Sequence, residues 1–139
     1  MKRTVFLLVI ISLLGTSCSF EQKAYSRIES YMRDKIADPN LLVEQKETVW
    51  NEDGVCIVDF KLRYQNKYGG YELTDYEYIL LKNRRDNSLY ETAINLFNKT
   101  SVLYRARKYL NDTGNKVSEE ELSNIIYMLS YEEARHKVK

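Results

Sequence analysis

Apolar positions divide the chain into blocks of different period, and the period changes wherever turn residues fall. Val5 to Leu14 is an almost unbroken apolar run, with Lys2-Arg3 before it and Gly15-Thr16-Ser17-Cys18 after it. From Phe20 to Ile36 the spacing becomes three and four. Tyr25, Ile28, Met32 and Ile36 make one stripe, which predicts an amphipathic helix. Asp38-Pro39-Asn40 ends it, because a residue before proline is pushed out of the helical region and proline cannot donate to the ladder. Leu41 to Trp50 then predicts a strand and Asn51-Glu52-Asp53-Gly54 a turn. From Val55 to Gln65 the period is two. Cys56, Val58, Phe60, Leu62 and Tyr64 share one face, while Asp59, Lys61, Arg63 and Gln65 share the other.

A third strand, Tyr71 to Leu81, follows Asn66-Lys67-Tyr68-Gly69-Gly70. A three-residue loop, Lys67-Tyr68-Gly69 with Gly69 left-handed, sets Asn66 opposite Gly70. Phe60 then faces Tyr76, Val58 faces Tyr78 and Cys56 faces Leu80 on the apolar side. Lys61 faces Asp75 on the polar side. A slip by one residue would set Phe60 against Glu77, driving charge into the core, so this register should win. It leaves Asp59 facing Glu77 on a face expected to be solvated. That outer face is polar toward the hairpin tip and apolar toward its base, at Val55, Ile57, Ile79 and Leu81, which needs a cover.

The C-terminal part should supply the cover. Ser88-Leu89-Tyr90-Glu91 and Ser118-Glu119-Glu120-Glu121 both have the serine-to-glutamate spacing of a capping box. They predict one helix from Leu89 to about Leu110, with a weak point at Asn98-Lys99-Thr100-Ser101 and Gly114 helping to close it. A second helix runs from Glu119 to about Arg135 and presents Leu122, Ile125, Ile126 and Leu129. The expected fold class is α+β: an N-terminal helix packed on a three-stranded antiparallel meander, followed by a C-terminal αα-hairpin. The expected division is 1–17, 18–86 for the helix and sheet, and 87–139 for the helical hairpin, with the seam at Asn83-Arg84-Arg85-Asp86-Asn87.

The first block has the anatomy of a secretory signal: a basic start, an apolar run too short to span a bilayer as a helix, and small residues at its end. Ending in Ser17-Cys18, it resembles the signal of a bacterial lipoprotein, with Leu14 one place earlier than the usual motif has its leucine. That resemblance implies cleavage before Cys18, lipid on Cys18 and attachment to a membrane of the cell envelope. Each buried CH₂ contributes about 0.8 kcal/mol, so two or three chains would hold it permanently. Gly15 and Ser17 also suit ordinary signal cleavage, and the mass of the mature protein separates the two. Residues 20–82, with Asp38-Pro39 and Asn66-Lys67-Tyr68-Gly69-Gly70-Tyr71, are similar to a group of small secreted bacterial proteins of unknown function. Those have a similar Asn-x-aromatic-Gly-Gly-Tyr hairpin, and their sheet with a helix across it is cystatin-like. No activity follows from that resemblance.

Charge and chemistry narrow the function classes. The 21 basic and 20 acidic residues nearly cancel, which argues against a nucleic-acid binder driven by charge. The single histidine, His136, sits near the C-terminus, so histidine catalysis and multi-histidine metal sites have little to draw on. No cofactor is expected. Cys56, on the apolar face, reads as a small buried hydrophobe. Asp59 and Glu77 are the one carboxylate pair that the register brings together, the arrangement a carboxylate-based hydrolase would use. Twelve tyrosines remain. Tyr64, Tyr76 and Tyr78 are expected to be structural. Tyr68, at the tip of a glycine-rich loop, and Tyr71 beside it are the candidate contact residues, since tyrosine offers a flat apolar ring with a polar end. The expected function is a membrane-anchored envelope protein that binds another protein. A small-ligand or glycan binder using Tyr71, Tyr76 and Tyr78 is the alternative.

Overall fold

In the computed structural model, which describes residues 19–114 and 118–135, the chain opens with helix α1, Phe20–Lys35. Ser19 caps it: its hydroxyl accepts from the Gln22 N–H, and the Gln22 side chain accepts from the Ser19 N–H. Ala24, Ile28 and Met32 recur every four residues on the buried face. Ile36 ends the helix in extended backbone. Past it, the Asp38 carboxylate accepts from the Asn40 and Gln65 N–H groups, tying the helix end to the sheet.

Four strands follow: β1, Leu42–Glu52; β2, Val55–Gln65; β3, Tyr71–Lys82; and β4, Leu89–Asn95. They form one antiparallel sheet in the order β1-β2-β3-β4. The β2–β3 register is the expected one, with Phe60 opposite Tyr76, Lys61 opposite Asp75 and Asp59 opposite Glu77. Gly69 takes φ 86°, as the three-residue loop requires. Asn66 N–H donates to the Gly70 carbonyl, and the Asn66 side chain accepts from the Tyr68 and Gly70 N–H groups, which fixes the tip.

The fourth strand corrects the expected three-stranded sheet. Leu89–Asn95 is strand, and the helix expected from Leu89 to Leu110 begins only at Val102. Ser88 caps no helix; its N–H and hydroxyl both bond Asp86. Glu91 instead reaches α1, where the Arg27 guanidinium grips its carboxylate at 2.7 and 3.0 Å while the Tyr78 hydroxyl donates to it at 2.6 Å. Leu89, Ala93 and Leu96 fall at helical spacing, but Tyr90, Thr92 and Ile94 point to one face of the sheet and Glu91 and Ala93 to the other. Asn83 to Asn87 is accordingly the turn between β3 and β4. The weak point at Asn98–Ser101 is where the true helix boundary lies.

Helix α2 is Val102–Asp112, capped by the Ser101 hydroxyl accepting from Tyr104 N–H, and Gly114 follows it at φ 69°. Helix α3 is Glu119–Arg135. The two lie antiparallel, with Arg105 early in α2 bonded to Glu133 late in α3.

The sheet therefore has a core on each face. Cys56, Val58, Leu62, Tyr78 and Leu80 pack against Ile28 and Met32 of α1. Val55, Ile57, Ile79, Leu81 and Ile94 pack against Val102, Ala106 and Ile126, so the apolar base is covered as expected. Each such aliphatic side chain contributes about 2 kcal/mol by leaving water. On α3 the fully buried positions are Ser123, Ile126, Ser130 and Ala134, while Leu122, Ile125 and Leu129 are half-buried around them.

Candidate functional site

Three places bring chemistry-bearing residues together: the carboxyl pair, the groove between the C-terminal helices, and the tip of the β2–β3 hairpin.

Glu77 corrects the expected solvated face. It is 0% exposed, lying where the first turn of α2 crosses the sheet. Its Oε1 accepts the Val102 N–H at 2.8 Å, so the carboxyl satisfies one of the orphan donors of that helix. Asp59 lies directly opposite it, and the two carboxyls perturb each other. Asp59 Oδ1 and Glu77 Oε2 are both buried, and neither has a hydrogen-bond partner among the described residues. Two carboxylates can hydrogen-bond only by sharing a proton. Burial first, and the Asp59 charge after it, push Glu77 up to about 7, against the pull of the Val102 bond and of Arg105. Asp59 is also raised, chiefly by burial, but the proton on Glu77 restrains it. Below about pH 7 Glu77 is a neutral acid, accepting from α2 and with a proton to offer to Asp59. Glycoside hydrolysis needs carboxyls about 5–9 Å apart with room for substrate or water between them. This pair is directly cross-strand, with one member sealed.

Cys56 is fully buried and its thiol is pushed up to about 11, mainly by burial, which removes the thiolate that nucleophilic chemistry needs. Among the described residues, no group of histidine, cysteine, aspartate and glutamate side chains is placed to hold a metal. Cys18 and His136 lie outside the described residues. Arg84 stacks on the Tyr127 ring at 3.8 Å and bonds Asn124, and Arg105 pairs with Glu133, so both guanidinium groups are engaged within the fold.

The tyrosines divide into buried and exposed ones. Tyr76 and Tyr78 are buried beneath α1, Tyr76 stacked on Phe60 and Tyr78 edge-on to Tyr31. Tyr64 is half-buried and donates to Glu72. Tyr71 is on the opposite face of the sheet from Tyr76 and Tyr78, so the three line no common surface. Tyr68 and Tyr71 are 84% and 61% exposed. Lys67 lies over the Tyr68 ring, and Arg63 over the Tyr71 ring at 4.6 Å.

Sequence reasoning missed the residues that complete this surface. Leu73 is 61% exposed and Phe97 90% exposed. Both line a groove of about 500 Å³ beside β3, with Tyr64, Glu72, Thr74, Asp75, Asn95 and Leu96. A smaller groove between α2 and α3, about 270 Å³, includes Tyr109 and Met128. The hairpin tip differs from it in having a sheet edge as one wall. The chain matches no protein-family model, no curated protein and no solved structure.

Proposed function

We propose that this protein is a lipid-anchored protein of a bacterial cell envelope, held to the membrane through Cys18, whose α+β body is a binding module for another protein rather than an enzyme. The observation that carries the reading is the exposure of four large apolar side chains toward the hairpin end of the sheet, Tyr68, Tyr71, Leu73 and Phe97, two of which line one groove. Large apolar side chains grouped on a surface favour protein contact. The placement of the ends supports it. Ser19, next to Cys18, caps α1, and Glu21 in the first turn of α1 accepts from Asn51 at the base of the sheet. Asp38, past the other end of the helix, bonds Gln65 at the hairpin tip. With lipid on Cys18, the cluster stands away from the membrane by roughly the length of β2, about 33 Å at 3.3 Å per residue. Neither a nucleic acid nor a cofactor has a place in this reading.

Two measurements test it. The mature protein from its native cells should begin at Cys18 and have the added mass of its acyl chains; a chain retaining residues 1–17, or an unmodified Cys18, refutes the anchor. A photo-crosslinking amino acid at position 68 should capture a discrete partner in cells, and the same group at Tyr104, exposed on α2, should not. Equal capture at both positions, or none at either, refutes the binding surface.

A further inference from the structure

The end of the sheet at the hairpin tip is unfinished. β3 has 12 residues and β4 only 7, and the pairing stops at Tyr76 opposite Asn95. One further bond, Leu96 N–H to the Asp75 carbonyl at 2.9 Å, closes the ladder. The alternation of the backbone decides what is left. Even-numbered residues of β3 bond toward β2: Gly70, just before the strand, accepts from Asn66, and Lys82 donates to Gly54. Odd-numbered residues bond toward β4, as Asp75 does. The N–H and C=O groups of Tyr71 and Leu73 therefore face the side that β4 has vacated.

The other two edges are managed. Along β1 the register breaks twice, between Glu44 and Lys46 and between Thr48 and Trp50, with Gln45 at φ 44°. Such bulges twist an edge away from pairing. On β4 the Lys35 ammonium takes the Ala93 carbonyl at 2.8 Å. Among the described residues no such device covers Tyr71 and Leu73, and the groove that Leu73 lines together with Phe97 lies beside them.

We propose that this free edge of β3 accepts an extended, lysine- or arginine-bearing segment of a partner protein as an added strand. The inference rests on the protein-binding reading above and names its mode. Charge selects the occupant: the groove holds Glu72 on one face of β3 and Asp75 on the other, and among the described residues no cation lines it. A second copy of this chain, pairing edge to edge, would set Glu72 near Glu72 on one face of a short ladder and add two Asp75 carboxylates on the other, which like-charge repulsion opposes. A basic strand meets complementary charge. Its cations would lie on the side of Glu72, and its alternate residues on the side of Leu73 and Asp75. Main-chain bonds would supply affinity, and the alternating side chains specificity.

An octapeptide alternating lysine and valine, and its glutamate–valine counterpart, serve as probes. Residue-resolved amide exchange on the full chain should show new protection at Tyr71 and Leu73 with the lysine peptide only. Leu73→Pro removes a donor that β2 does not use, and should weaken binding about fivefold, the order expected from losing one ladder bond. Glu72→Lys should reverse the preference between the two peptides, and it keeps the test decisive if Leu73→Pro perturbs the strand. Unchanged protection at Tyr71 and Leu73, full affinity in Leu73→Pro with the β2–β3 amides intact, or no reversal in Glu72→Lys overturns the proposal. Protection of the same amides that rises with protein concentration and needs no peptide also overturns it, in favour of self-pairing. Crosslinking at position 68 that persists in Leu73→Pro cells would leave the binding surface standing and remove the added strand; loss of crosslinking at every position would remove the surface itself.

Discussion

Raising the pH from about 5 to about 8 should weaken this fold, against the usual trend for a protein rich in paired carboxylates. Glu77 is the cause. Its ordinary value is 4.5 and burial beneath α2, reinforced by Asp59, moves it to about 7. Between those values the folded chain holds a proton that the unfolded chain has released, so stability falls as pH rises and stays low above the folded value. At 1.36 kcal/mol per unit, the shift corresponds to about 3 kcal/mol, a quantity that belongs to the Asp59–Glu77 pair as a whole. The acids that act the other way, Glu91, Asp38, Glu72 and Asp86, are lowered, and lose their contribution only as the pH falls through the acid range. They leave the window above about pH 5 to Glu77. His136 is the one other side chain whose ordinary range falls there, and His136→Gln removes it as a background.

The decisive comparison is Glu77→Gln. Glutamine keeps an oxygen to accept the Val102 N–H and gains an amide to donate to Asp59, with no proton to lose. Urea denaturation followed by circular dichroism at several pH values should give a falling curve for the parent and a flat one for the variant. The two should nearly coincide near pH 5 and separate by about 3 kcal/mol near pH 8, the variant being the more stable. A parent curve that is flat or rises over this range, or a variant with the parent's slope, would refute the shared proton.

Other expectations follow from individual contacts. Glu91→Ala leaves the buried Tyr78 hydroxyl without its acceptor and frees Arg27, and should cost about 2 kcal/mol in the same denaturation assay. Glu91→Gln, which keeps an oxygen for Tyr78, should cost clearly less. Leu80→Ala, fully buried under α1, should cost 2–5 kcal/mol, roughly the range for such cavities, and lower the thermal midpoint accordingly. Gly69→Ala meets no atom nearer than 4.0 Å, so its expected cost of about 1 kcal/mol is the strain of φ 86° alone. Tyr68→Ala should leave stability within about 0.5 kcal/mol while abolishing partner capture, since the ring touches little of the fold.

Those magnitudes rest on a sheet whose central part was legible from period and turn chemistry alone. Strict alternation in β2, together with one loop of defined length, fixed every partner from Gln65–Tyr71 to Val55–Leu81. The cost of a slipped register did the selecting. Burial around Asp59 and Glu77 was not legible, because it depends on where α2 starts. A helix drawn from Leu89 would have carried its first turn past the sheet; one starting at Val102 sets its N-terminus on Glu77. The pairing was visible in the sequence, but the desolvation that turns two like charges into a shared proton comes from an element placed by tertiary packing.

The hairpin surface shows the same dependence more sharply. Tyr68 and Tyr71 stand out from the sequence as a tyrosine at a glycine-rich turn and its neighbour. Leu73 and Phe97 carry no such mark: Leu73 looks like any strand residue and Phe97 like part of a helix. What makes them a surface is the stop after β4, and that stop has a local cause. The Asn95 side chain accepts from the Phe97 N–H, while its carbonyl accepts from Asn98 and Lys99. The chain therefore turns away from β3 instead of following it to the tip. The same sequence with β4 extended by four residues would keep Tyr71 and Leu73 yet bury their backbone groups in an intramolecular ladder. The recognition element is thus a difference in length between neighbouring strands, and the residue that sets it, Asn95, lies outside the cluster it exposes.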